Sequence, residues 1–186
     1  MIENKTFKGK DYTQNDLKKD TYENCIFNGC DFSNSTLGNF SFTDCEFINC
    51  NLSMVGLNQT KLNEVTFDNC KLLGLKFNEC NPFLLSISFK KCLLNLASFY
   101  QLKLKGTSFL QCSLQEVDFV EADLTKATFD DCDLSGAIFE YSILEQADFR
   151  LAKHYIINPQ INKISKAKFS KEGIIGLLKE YDILIE

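Results

Sequence analysis

The chain has 186 residues, is 45% hydrophobic and 24% charged, and carries a formal net charge of −5. That balance describes one water-soluble domain and argues against a basic nucleic-acid binder. No run of about 18 apolar residues is present, so no membrane span is expected, and the opening Met1-Ile2-Glu3-Asn4-Lys5 leads into polar residues with no signal-peptide core, which makes the cytoplasm the expected location.

A five-residue period sets in near the start. Its first phase places Phe, Leu or Tyr at Phe7, Tyr12, Leu17, Tyr22 and every fifth position to Phe77. Its second phase starts at Leu84 and alternates Leu with Phe to Phe149. Fifteen centres and fourteen make twenty-nine, and 14 of the 17 Phe sit at them, all but Phe40, Phe83 and Phe169. Helices and strands repeat at about 3.6 and 2.0 residues, so neither explains a period of five. A heptad drifts out of phase at once, and fixed self-similarity marks a repeat architecture. Five residues hold a short extended piece and a corner, and four such pieces close a square coil. The centre and the residue two before it point inward. Coils stack by backbone hydrogen bonds about 4.8 Å apart, so the repeats predict about seven coils and a rod roughly 35 Å long.

Residues 1–20 keep the centres, but their inward partners are Lys5, Lys10 and Asn15, which cannot all be buried unpaired. They read as a frayed or capping first coil, since the end of a solenoid needs a polar face. Nine cysteines follow, each two residues before a centre or its in-phase continuation. Cys30, Cys50 and Cys70 are one coil apart, as are Cys92, Cys112 and Cys132, so they stack in columns. Cys25-x4-Cys30 and Cys45-x4-Cys50 lack zinc spacing and a nearby His. The cysteines therefore read as small apolar fillers in a reducing compartment, with no metal and no cofactor expected. Phe40, Leu75 and Leu102 stand in the same small-residue slot and need shrunken neighbours or a bulge. Pro82 marks the phase break near residues 81–83, where two residues are extra. The insertion forms either a bulge on one face or a register slip, and the slip is favoured.

Charge then changes sharply. Residues 71–109 hold six Lys and one acid, Glu79. Residues 110–149 hold one base, Lys126, and ten acids: Glu116, Asp118, Glu121, Asp123, Asp130, Asp131, Asp133, Glu140, Glu145 and Asp148. Those two coils span about 10 Å of rod, a length on which B-DNA carries about six charges. The local density is DNA-like, although repeat position spreads these acids over all four faces. The plainer alternative is a solvated surface that keeps a rod soluble.

The period is expected to end after Phe149, where Arg150, Lys153, Lys163, Lys166, Lys168 and Lys171 stand without an acid. This divides the chain into a repeat domain, 1–154, and a C-terminal unit, 155–186. Ser170 reads as the N-cap of a helix of about ten residues, with Phe169 and Ile174 placed as a hydrophobic staple. Ile174, Ile175, Leu177, Leu178 and Tyr181 form an apolar stripe, followed by the apolar tail residues Ile183 and Ile185. So short a helix is marginal alone. It packs on the rod end or on another copy, and the apolar set predicts a homodimer of two rods joined end to end.

Nothing in the chain points to catalysis. There is one His, His154, and no Trp, and no phosphate-binding, dinucleotide-binding or metalloprotease motif occurs. A non-enzyme is expected.

Ala122-Asp123-Leu124-Thr125-Lys126 and Cys132-Asp133-Leu134-Ser135-Gly136 match the consensus A(D/N)LXX. Over residues 5–150 the chain resembles the pentapeptide-repeat proteins. That resemblance implies an all-β fold, a right-handed quadrilateral β-helix, here with a short C-terminal α-helix. Ile157-Asn158-Pro159-Gln160-Ile161-Asn162, followed by a Gly-containing amphipathic helix and apolar tail, resembles the end of the gyrase-protecting branch, which includes the Qnr and microcin B immunity proteins. In that branch the last helix forms the dimer contact. The paired rods imitate duplex DNA and act on type II topoisomerases. Longer loops project from the Qnr coil and matter for activity; no such long loop is present here. The branch implies DNA gyrase or topoisomerase IV as partner, with protection from quinolones or a gyrase-targeting peptide toxin. The alternative is a scaffold or adaptor with another protein partner, since fold does not fix function.

Overall fold

The computed structural model describes residues 1–181, 183 and 184. Each five-residue side is a short extended piece ended by a corner. The residue two after the centre makes that corner in the left-handed region, with φ between 51° and 62° at Met54, Gln59, Glu64, Asn69, Glu116, Glu121, Lys126 and Asp131. Such a conformation is costly for side chains other than Gly. It is held because the corner N–H donates to a carbonyl of the next coil, as Met54 does to Leu73 at 2.9 Å and Glu116 to Ser135 at 2.9 Å.

The strands pair in parallel in two ladders. One has four strands, Ile2–Glu3, Thr21–Glu23, Ser41–Thr43 and Lys61–Asn63. The other has seven, Thr6–Lys8, Ile26–Asn28, Glu46–Ile48, Val65–Asp68, Ile87–Lys90, Ser108–Leu110 and Thr128–Asp130. The register is one coil per step, Phe7 on Phe27 and Phe27 on Phe47, and becomes 22 residues at Phe67 on Phe89. Isolated bridges such as Ser98–Asp118–Ile138 continue the stacking on the remaining sides. The fold is an all-β parallel solenoid with one short helix after it.

Beneath the seven-stranded ladder the rings of Phe7, Phe27, Phe47, Phe67, Phe89, Phe109, Phe129, Phe149 and Phe169 stack with centroids 4.7–5.5 Å apart and planes within 16°. A second column, Phe77–Phe99–Phe119–Phe139, meets it edge-on, as at Phe109–Phe119 with 83° between planes. Nine stacked rings make eight coil steps, a rod of roughly 38 Å. All nine cysteines are buried and free. Most of their thiols donate to backbone carbonyls of their own coil and the coil before, as Cys50 Sγ does to Ile48 O and Phe27 O at 3.3 and 3.2 Å. Phe40, Leu75 and Leu102 are buried too; Phe40 lies flat beside Tyr22 and Phe42. In the first coil Lys5, Lys10 and Asn15 are all exposed, so none of them is buried unpaired.

Three expectations need correction. Leu84, a centre by spacing, is 62% exposed beside exposed Phe83, and Leu85 packs partly on the core instead. The two extra residues leave the wall as a small loop through Pro82, so the bulge, and not a pure slip, absorbs them. Second, the coil does not stop after Phe149. Bridges Asp133–Lys153, Ile143–Lys163 and Asp148–Lys168 carry a further coil across residue 154, and Phe169 is its last ring. His154 and Pro159 stand where centres are due, and Tyr155 and Ile157 fill the core there instead. Third, the helix is Ile175–Leu178 followed by a 3-10 turn, Lys179–Tyr181, shorter than about ten residues.

Candidate functional site

The ten acids of residues 110–149 divide by position in the repeat. Asp118, Asp123, Asp133 and Asp148 stand one residue before a centre. There each carboxylate accepts the backbone N–H two residues on: Val120, Thr125, Ser135 and Arg150, at 2.9–3.2 Å. The same geometry appears far from this region at Asp31 with Ser33 and Asn51 with Ser53. The Asp or Asn of the consensus is therefore a turn lock.

Ion pairs silence several of these charges. Asp123 pairs with Lys105 at 3.2 Å, Asp131 with Lys153 at 2.7 Å, and Asp148 with both Arg150 and Lys168 at 2.7 and 3.5 Å. Asp133 lies 2.8 Å from His154 Nδ1. Burial is the largest single influence on Asp133 and opposes ionisation, but hydrogen bonds from Ser135, Gln115 and His154 outweigh it and hold the carboxyl well below its usual range. Hydrogen bonding to Lys153 does the same at Asp131, and to Arg150 at Asp148.

Among the described residues, Glu116, Asp118, Glu121, Asp130, Glu140 and Glu145 make no ion pair. Three of them share one side of the rod, the side backed by Phe99, Phe119 and Phe139. Asp118 sits between Ser98 and Ile138 in one ladder, and Glu121 N–H donates to Glu140 O at 2.8 Å. Exposed Ile138 and Tyr141 stand among them. The even spread over four faces expected from spacing thus becomes, after pairing, an excess on one face.

At the C-terminal end the helix seats on the last coil through glycines. A Cβ on Gly176 would lie 2.2 Å from the Tyr155 carbonyl oxygen, and one on Gly173 would lie 2.1 Å from the Tyr155 hydroxyl. Ile157 N–H donates to Gly176 O at 3.0 Å. Ser170 Oγ accepts Gly173 N–H at 2.9 Å, a cap on the turn before the helix and not on its first residue. The expected stripe is split: Leu177 packs against the core and Leu178 is half-buried, whereas Ile174, Ile175 and Tyr181 are 48%, 54% and 46% exposed. Ile183 is exposed as well, and Ile185 lies outside the described residues. A groove between helix and rod is lined by Arg150, His154, Tyr155, Ser170 and Ile175 among others. It brings Ser170 near the His154–Asp133 contact, but the Ser170 hydroxyl makes its hydrogen bond with Gly173 and none with His154.

Comparison with known proteins decides the family. The family model described as a pentapeptide repeat region matches residues 21–82 and 83–154. The chain belongs to the pentapeptide-repeat family. No curated protein matches it. Among solved structures it is similar to HetL from the cyanobacterium Nostoc sp. strain PCC 7120, described as involved in heterocyst differentiation regulation, at 18% identity and a TM-score of 0.72 over 91% of this chain and 86% of that one. It also matches a trypsin-treated form of QnrB1, described as a plasmid-mediated fluoroquinolone resistance protein, at 18% identity and a TM-score of 0.49 over 100% and 99% of the two chains. At these identities the HetL match speaks for the fold alone. No described helix is long and apolar enough to cross a membrane.

Proposed function

We propose that this pentapeptide-repeat protein is a non-catalytic, cytoplasmic binding rod that docks its acidic coils onto the DNA-binding surface of a type II topoisomerase, DNA gyrase or topoisomerase IV, and protects it from quinolones or a gyrase-targeting peptide toxin. The observation that carries this reading is the set of carboxylates left unpaired on coils 110–149, three of them on one face with Ile138 and Tyr141. Carboxylates without a cationic partner, set beside exposed apolar groups, suit a basic protein surface. The rod imitates DNA over that short length and binds no nucleic acid itself. The exposed Ile174, Ile175, Tyr181 and Ile183 join two copies end to end in this reading and lengthen the acidic surface. Purified gyrase holoenzyme, with labelled chain and competing duplex DNA, tests the reading. Displacement of the chain by DNA supports it, and absence of binding at tens of micromolar ends it.

A second reading, an adaptor for another protein, is favoured by a different observation. Charge alternates along the rod. Residues 21–70 hold six acids against Lys61, residues 71–109 six lysines against Glu79, residues 110–149 ten acids against Lys126, and residues 150–171 six bases and no acid. Duplex DNA is uniformly negative, whereas a banded rod offers separate partners separate surfaces. Binding to a non-topoisomerase partner that DNA does not displace would select this reading.

A further inference from the structure

Halfway along the rod, one side carries apolar groups where the rest of that side is polar. It is the side backed by Leu52, Leu72 and Leu94. Its outward positions are Asp31, Ser33 and Asn34 in an early coil and Ser113, Gln115 and Glu116 in a later one. Between them stand Met54, Leu73, Leu93 and Leu96, exposed by 61%, 36%, 43% and 62%. They lie on three successive coils: Met54 N–H donates to Leu73 O at 2.9 Å, and Leu72 N–H to Leu93 O at 2.8 Å. Gly74 gives Met54 its place, since a Cβ there would lie 2.6 Å from the Met54 sulfur. Lys71 is paired with Leu93 in the ladder. Beside this patch runs a groove lined by Asn49, Asn51, Asn69, Lys71, Lys91 and Leu93. Lys90 and Lys76, nearby, are bound to Asp68 and Glu79. Lys71 and Lys91 make no ion pair among the described residues, and both are exposed.

We infer that this face is a docking surface for an acidic protein segment that also carries apolar side chains. Its carboxylates enter the groove between Lys71 and Lys91, where the asparagine amides donate further hydrogen bonds. Its apolar groups cover Leu73, Leu93 and Leu96. Charge complementarity fixes the sign of the partner: the patch and groove hold two free lysines and no carboxylate. Four side chains are far short of the roughly 800 Å² per partner that a stable dimer buries, so a short segment fits better than a second copy. A nucleic acid would place phosphates against leucine and methionine, and the groove offers no arginine to hold them. None of these residues belongs to the acidic coils or the C-terminal helix, so this inference stands or falls apart from the proposed function.

Selection of random peptides of about 12 residues on the immobilised full chain tests it. The peptides enriched should combine Asp or Glu with Leu, Ile or Phe. Leu93→Asp with Leu96→Asp, and separately Lys71→Glu with Lys91→Glu, should each weaken their binding at least about tenfold. Both double variants should keep the wild-type melting temperature, because all four side chains are exposed. Enriched peptides that are basic or neutral, affinities that ignore both double variants, or tighter binding of a labelled duplex DNA would each overturn the inference.

Discussion

Phe119 stacks on Phe99 and Phe139 at 5.2 and 5.1 Å and meets Phe109 and Phe129 edge-on at 5.9 and 6.0 Å. No position reports better on the inward rule. Phe119→Ala should cost about 3–5 kcal/mol in urea unfolding, and Asp130→Ala, outward on the opposite side, no more than about 0.5. Equal costs would mean the inward assignment is wrong. The cysteines allow a second check at this scale. Burial pushes the Cys80 thiol up to about 12 and the Cys45 thiol up to about 11. Thiolate is the reactive form and all nine thiols are buried, so the native protein should give almost no colour with a thiol reagent at neutral pH and nine thiols after denaturation. Rapid native reaction would contradict the core-filler role. The aspartates set the acid limit. Asp133 and Asp148 have folded-state pKa values below their unfolded ones, so their contribution is present above the unfolded pKa and is lost as pH falls through the folded one. Melting temperature should therefore drop between about pH 5 and pH 1, and Asp133→Asn should flatten that drop.

A single five-residue side is legible in the sequence because only its centre and the residue two before it turn inward, and both are apolar or small. Three elements are not. Leu84 carries the right residue at the right spacing, yet the Pro82 insertion lifts it off the wall. Periodicity counts residues and cannot say where a loop departs. The last coil escapes the five-residue count because His154 and Pro159 interrupt it. The signal that finds it is the coil period, since Phe169 follows Phe149 and Lys168 follows Asp148 by 20 residues. A coil's length of separation also explains why the acids look evenly spread in the sequence: Lys105 stands 18 residues from Asp123, and Lys153 stands 22 from Asp131. The helix is the third case. Its glycines read as ordinary helix residues, but Tyr155 occupies the space their side chains would need. Gly176→Ala should unseat the helix, at an overpacking cost of about 1–3 kcal/mol, and speed amide exchange at Ile157 at least about tenfold. Unchanged exchange at Ile157 would show that the helix does not depend on this contact.

The whole molecule is a rod of about 38 Å with a filled interior; no described cluster of His, Cys, Asp or Glu forms a metal site. The proposed function uses its outside. The proposed end-to-end dimer doubles that outside to roughly 75 Å. Sedimentation of the full chain at tens of micromolar should show a dimer, and truncation after Ser170 a cooperatively folded monomer. A monomeric full chain would remove the dimer. Gyrase supercoiling in the presence of a quinolone shows whether the unpaired acids of coils 110–149 engage a type II topoisomerase, as proposed. The wild-type chain should restore supercoiling, and Asp118→Lys, Glu121→Lys and Glu140→Lys together should abolish the rescue without changing the melting temperature by more than a few degrees. Rescue by the triple variant equal to wild type, or no effect of either protein, would contradict the proposal.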